Sequence, residues 1–134
     1  MILAIPTVAV AAPAISTSVC SVQQVTIGDA APVWQIKGTT SVTDLPAGTK
    51  SVSVTITFEK RPNATGVWGN ISTVTQTTNA VSGTATVDTG FQNLSVAPVA
   101  GDRYRISVTA SYIDNNNMNH VLTPNGSLEI RPVP

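Results

Sequence analysis

The stretch from Arg103 to Asp114 leaves this chain few ways to fold. Tyr104, Ile106, Val108, Ala110 and Tyr112 alternate there with Arg105, Ser107, Thr109 and Ser111, and successive residues of an extended chain point to opposite faces. A period of two predicts a half-buried β-strand. Ser51 to Glu59 repeats the pattern, setting Val52, Val54, Ile56 and Phe58 against Ser51, Ser53, Thr55, Thr57 and Glu59. Two such strands each offer an apolar face that needs a cover, which a second sheet supplies. The expected fold is therefore all-β, a β-sandwich. The 134 residues make one domain, large enough to bury roughly two-thirds of its unfolded surface.

The rest of the chain fits this frame. Ile15 to Ile27 carries Val19, Val22, Val25 and Ile27 among polar residues, and Gly28-Asp29 supplies a turn. Val33 to Lys37 places Trp34 and Ile36 on one face, and Gly38 to Lys50 reads as connection. A loop over Arg61 to Gly66 precedes a predicted strand from Val67 to Thr77 that contains Trp68. Thr84 to Val87 is short, alternates, and suits an edge or a bend. The Asn-rich turn Asp114 to Asn119 leads to Val121-Leu122, and a last strand is expected at Ser127 to Arg131, stopped by Pro132 and Pro134. These make seven or eight strands, and no helical period competes with them.

Charge is scarce: 10% of residues, with seven Lys and Arg balancing seven Asp and Glu. Nucleic-acid binding is not expected, because counterion release needs clustered Lys or Arg. Hydroxyls replace the charge, twelve Ser and nineteen Thr. Thr packs well on a pleated surface, so this is a sheet exterior built without Lys and Glu. Such surfaces associate readily, because no net charge keeps copies apart. The single cysteine, Cys20, excludes an internal disulfide and reads as a small buried apolar residue.

Residues 1–14 carry no charged side chain. Ala9-Val10-Ala11 resembles a signal-peptide cleavage site, but a positive n-region is missing and Pro6 interrupts the apolar run. The segment is too short and too proline-broken to cross a membrane as a helix. Proline biases the preceding residue towards extended backbone. The expected organisation is an extended apolar arm over 1–14 and a sandwich domain over 15–134.

The region Leu94-Ser-Val-Ala-Pro98-Val-Ala-Gly101-Asp-Arg-Tyr104-Arg-Ile106-Ser-Val108-Thr-Ala110 resembles the fibronectin type III and wider immunoglobulin-like pattern. In that pattern a Leu and a Pro-Gly turn precede a Tyr-x-Val-x-Val-x-Ala strand. The resemblance implies an immunoglobulin-like sandwich and gives Tyr104 the corner role, a hydroxyl hydrogen-bonded back to nearby backbone. It implies no particular activity, since this fold hosts many. The Cys-Trp-Cys arrangement of antibody domains is absent, and the apolar arm lies outside the pattern.

No residue set points to catalysis, a metal or a cofactor, and the chain is not expected to be an enzyme. The only histidine, His120, sits beside an Asn-rich turn and reads as a solvated loop residue, and the carboxylates are spread singly. Zinc ligands are too few. Asp114 to Asn119 offers oxygens but lacks the glycine and terminal glutamate of an EF-hand loop. Asn63-Ala-Thr, Asn70-Ile-Ser, Asn93-Leu-Ser and Asn125-Gly-Ser read as N-glycosylation acceptors. Four such sites among nine asparagines exceed what 31 hydroxyl residues in 134 supply by chance. Of the aromatics, Trp68, with Gly66 and Gly69 close by, is the best candidate for exposure and sugar stacking.

An apolar arm ahead of a charge-poor sandwich suggests donor-strand exchange. Thr7, Val8, Ala9, Val10, Ala11 and Ala12 of one subunit would complete the edge or groove of the next, backbone bonds giving affinity and Val8 and Val10 filling pockets. A head-to-tail contact that does not close builds a filament. The arrangement is similar to pilus subunits with immunoglobulin-like folds. The expected function is a structural subunit of an extracellular or cell-surface filament, polymerising with identical copies, without membrane insertion, with surface glycans possible. Three alternatives stand beside it. Residues 1–14 form the first strand of their own sandwich; the chain is a virion decoration or fibre protein of a phage, which Met1 at the head of the arm would fit; or it is a carbohydrate-binding or adhesion module.

Overall fold

The computed structural model describes residues 11–134, which form two antiparallel sheets packed face to face. The first sheet contains β1 (Ala14–Val25), β2 (Val33–Thr43), β5 (Ala85–Asp88) and β6 (Gln92–Asn93). The second contains β3 (Ser51–Arg61), β4 (Gly69–Thr78), β7 (Arg103–Ile113), β8 (Asn119–Val121) and β9 (Asn125–Gly126). Their orders are β1-β2-β5, with β6 also on β2, and β4-β3-β7-β8, with β9 also on β7. β5 and β6 thus share one side of β2, and β8 and β9 share one side of β7. The four elements fill two interrupted edge positions.

The two predicted strands form the centre of the second sheet, paired in register from Ser51↔Ile113 to Arg61↔Arg103. Val52, Val54, Ile56 and Phe58 of β3 and Tyr104, Ile106, Val108, Ala110 and Tyr112 of β7 are buried against Ile15, Cys20, Ile36, Val42, Ala85 and Val87 of the first sheet. Each fully buried aliphatic or aromatic side chain contributes about 1.5–3 kcal/mol. The opposite face of the second sheet is a field of hydroxyls, in which Thr55 meets Thr75 at 3.0 Å and Thr57 meets Thr73 at 3.5 Å.

Several boundaries differ from the sequence reading. Gly38 to Thr43 belongs to β2 and not to a connection: Ile36, Gly38, Thr40 and Val42 all face inward. A Cβ on Gly38 would lie 2.9 Å from Ile56 Cγ2, 3.2 Å from Ile106 and 3.3 Å from Phe58, so the sheets approach most closely where only glycine fits. Thr40 keeps the inward phase by donating its hydroxyl to the Thr17 carbonyl at 2.8 Å. In β1 a bulge between Ile15 and Thr17 shifts the phase by one residue. Ile15 therefore faces inward with Cys20 and Val22, whereas Val19 is exposed; Ile27 lies beyond the strand and is also exposed. Trp68 precedes β4 instead of lying within it, and the expected last strand at 127–131 is reduced to a single bridge, Tyr104↔Ile130.

Candidate functional site

Charge is not spread evenly over the described residues. Antiparallel register brings the end of β3 beside the start of β7, with Glu59 opposite Arg105, Lys60 opposite Tyr104 and Arg61 opposite Arg103. Like charges directly across a ladder repel, so Arg61 against Arg103 needs a counter-charge. Glu129 supplies it, accepting hydrogen bonds from both guanidiniums, 2.6 Å from Arg103. Those bonds, Arg103's first, hold the Glu129 carboxyl below its usual range. Arg105 pairs with Glu59 at 3.1 Å, and Lys60 Nζ lies 3.1 Å from the buried carboxylate of Asp102. Asp102 also accepts from the Val99 amide at 2.8 Å, closing the turn before β7. With Lys60 and Asp102, seven of the fourteen charged side chains gather at this end of the sandwich.

Trp68 is part of this cluster. The Arg105 guanidinium lies 4.0 Å from its ring centroid and that of Arg61 4.7 Å, a cation–π arrangement. The tryptophan expected to be open for sugar stacking is instead half-buried under two guanidiniums. Beside it, a register shift on β4 leaves Ile71 unpaired between Asn70 and Ser72, as bulges often do next to recesses. The recess has a volume of about 270 Å³ and is lined by Lys60, Asn70, Ile71, Leu94, Val96 and Tyr104.

Tyr104 forms the floor of that recess. Its ring is fully buried and its hydroxyl has no hydrogen-bond partner among the described residues, so the corner hydrogen bond expected of it is not made. Burial, and secondarily the Asp102 charge, push its pKa up to about 12, and the hydroxyl stays neutral. The recess combines apolar surface with the polar side chains of Lys60, Asn70, Ser95 and Tyr104. Lys60 in its wall is paired with the buried Asp102.

At the other end of β7, the Asn-rich turn uses its carboxylate to fold itself. Asp114 Oδ1 accepts from the amides of Asn116 and Met118 at 2.8 and 3.0 Å, and Oδ2 lies 2.7 Å from His120 Nε2. His120 also stacks on Tyr112, centroids 4.7 Å apart; it is a strand residue with two partners and not a free loop histidine. The bond to His120, followed by that to the Met118 amide, lowers the Asp114 pKa from 3.8. A depressed carboxylate stabilises the folded turn above its ordinary pKa and loses that contribution as pH falls through the lower folded value. A carbon-detected titration of the folded protein is expected to place the Asp114 midpoint below 3.8, and His120→Ala should move it back up. A midpoint at or above the ordinary value would show that the pair does not form in solution.

The sequence-derived candidates scatter. Thr7, Val8, Ala9 and Val10 lie outside the described residues; Ala11 and Ala12 are exposed and precede β1. Asn63 is exposed in the β3–β4 loop, Asn70 lies on β4, and Asn93 lies on β6, accepting from Gln35 at 3.0 Å. Asn125 on β9 donates its side-chain nitrogen to the Ile15 carbonyl at 3.0 Å, which ties the C-terminal edge to β1. The charged cluster was missed, although Glu59-x-Arg61 and Arg103-x-Arg105 both mark outward positions on neighbouring strands. No helix of the described residues is long and apolar enough to cross a membrane. The chain matches no protein-family model and no curated protein sequence.

Proposed function

We propose that the chain is a structural subunit of an extracellular filament, with an immunoglobulin-like sandwich and an N-terminal arm that adds as a strand to a neighbouring copy. The observation that carries this reading is that, among the described residues, 14–126 supply the strands of both sheets in an immunoglobulin-like order. Residues 1–10, ahead of that frame in the sequence, carry no charged side chain and are apolar apart from Thr7. The strand order supports the immunoglobulin-like connectivity: the chain crosses between sheets after β2, β4 and β6, as a Greek key requires.

Among the described residues β1 and β4, of twelve and ten residues, end their sheets, and an edge strand offers unpaired backbone groups to another chain. Beside β1, Val19, Cys20, Leu128 and Ile130 line an apolar seam suited to alternate side chains such as Val8 and Val10. The neutral hydroxyl faces impose no charge repulsion between copies.

Light scattering of the full chain beside a version lacking residues 1–12 tests the reading. The truncation stops short of β1 and should fold as a monomer, while the full chain forms large or open-ended species. A full chain that stays monomeric, or a truncation that assembles equally, would overturn it and bring decoration or ligand binding forward.

A further inference from the structure

Four sequons are present, but the fold treats their asparagines differently. Asn63-Ala64-Thr65 occupies the exposed turn between β3 and β4, where the Asn63 carbonyl accepts from the Gly66 amide at 3.4 Å. Asn63 Oδ1 receives two further donors, the Thr65 amide at 2.9 Å and the Thr65 hydroxyl at 3.1 Å. A backbone N–H can only donate, so this pair fixes which atom of the side-chain amide faces Thr65. Nδ2 makes no hydrogen bond among the described residues. The loop is held in this shape by Gly66, where a Cβ would come within 2.7 Å of Pro62 Cδ.

The other three lack this geometry. Asn70 and Asn93 lie on strands, paired with Glu59 and Gln35, and among the described residues no hydrogen bond from Ser72 or Ser95 reaches the asparagine side chain. Asn125 has its nitrogen committed to the Ile15 carbonyl.

We infer that Asn63 is a glycan acceptor built into the fold, its substrate class being a lipid diphosphate-linked oligosaccharide. In the transfer, Asn63 Nδ2 attacks the anomeric carbon of the donor sugar. The nitrogen–carbon bond forms as the carbon–oxygen bond to the diphosphate breaks, the lipid diphosphate leaves with the bonding pair, and one amide proton passes to a base of the transferring enzyme. Nothing is oxidised or reduced. An amide nitrogen is a poor nucleophile because its lone pair is delocalised onto oxygen. The two donors on Oδ1 stabilise the negative charge that collects there as the proton departs, so the Asx turn prepares the acceptor before the enzyme engages it. The inference takes from the proposed function only an extracellular route, since the chain must meet the lipid-linked donor.

The test is made on purified, folded full-length protein, incubated with an oligosaccharyltransferase and its lipid-linked oligosaccharide, with occupancy of each asparagine read by mass spectrometry of glycopeptides. Asn63 should be modified first, about tenfold or more faster than Asn125, the scale set by the bonds that must break to free the Asn125 amide. Thr65→Val keeps the shape of the side chain without its hydroxyl and should abolish modification at Asn63, Thr65→Ser should retain it, and Asn63→Gln should remove the leading product. Denatured protein should show the four sites converging. A folded chain whose Asn63 stays unmodified, or is no faster than Asn125, overturns the inference. Either result leaves the light-scattering outcome untouched, so failure of the glycan site and failure of the filament reading are separable.

Discussion

Gly38→Ala is expected to lower the stability of the domain by about 1–3 kcal/mol, and Gly38→Val to leave little folded protein. Gly38 sits mid-strand, where glycine normally costs stability through backbone entropy; an alanine there would be favourable if space allowed. Space does not allow it, because the new Cβ would lie 2.9 Å from Ile56 Cγ2 on the facing sheet. Total stabilities of about 5–15 kcal/mol leave little room for a larger group. Urea unfolding would show a lowered midpoint with an unchanged slope. Ile56→Leu removes the clashing β-branch methyl and should restore part of the loss in the Gly38→Ala background but not alone, a coupling that a double-mutant cycle isolates. An alanine variant as stable as the parent would mean that the sheets stand further apart than described.

Tyr104 should behave oppositely in two substitutions. Tyr104→Ala empties the centre of the core and is expected to cost about 3–5 kcal/mol, as other large aromatic truncations do. Tyr104→Phe keeps the ring and removes a hydroxyl that has no partner among the described residues. Since an unsatisfied buried hydroxyl costs about 1–3 kcal/mol, the phenylalanine variant should be at least as stable as the parent. Thermal or urea unfolding of the two variants measures both effects. A clear loss with phenylalanine would show that the hydroxyl finds a partner in solution, and would return to Tyr104 the corner bond that the fold pattern assigns it.

These two positions mark what the sequence conveys and what it withholds. β3 and β7 were legible because, until Lys60 and Ile113 at their ends, inward positions are apolar and outward ones polar, so the period of two runs unbroken along the body of each strand. β2 was half lost because its inward positions include Gly38 and Thr40, which look like a connection until the facing Ile56 and Phe58 explain the first and the Thr17 carbonyl explains the second. In β1 the bulge after Ile15 broke the phase, and no residue near it announces a bulge. The charged cluster needed the register of β3 on β7 and the arrival of Glu129 from the far end of the chain; neither is local. The sequons were visible as motifs, but what separates Asn63 from Asn125 is a turn in one case and a long-range bond to Ile15 in the other.

The gathering of half the ionic groups at one end divides the surface into two electrical regimes. At physiological ionic strength fields fade over about 8 Å, so contacts made through the charged end, around Arg61, Arg105 and Glu129, weaken as salt rises. The hydroxyl-covered faces carry almost no charge to screen, and contacts through them keep their strength from dilute buffer to brine. A polymer built on those faces would hold together in waters of very different salinity.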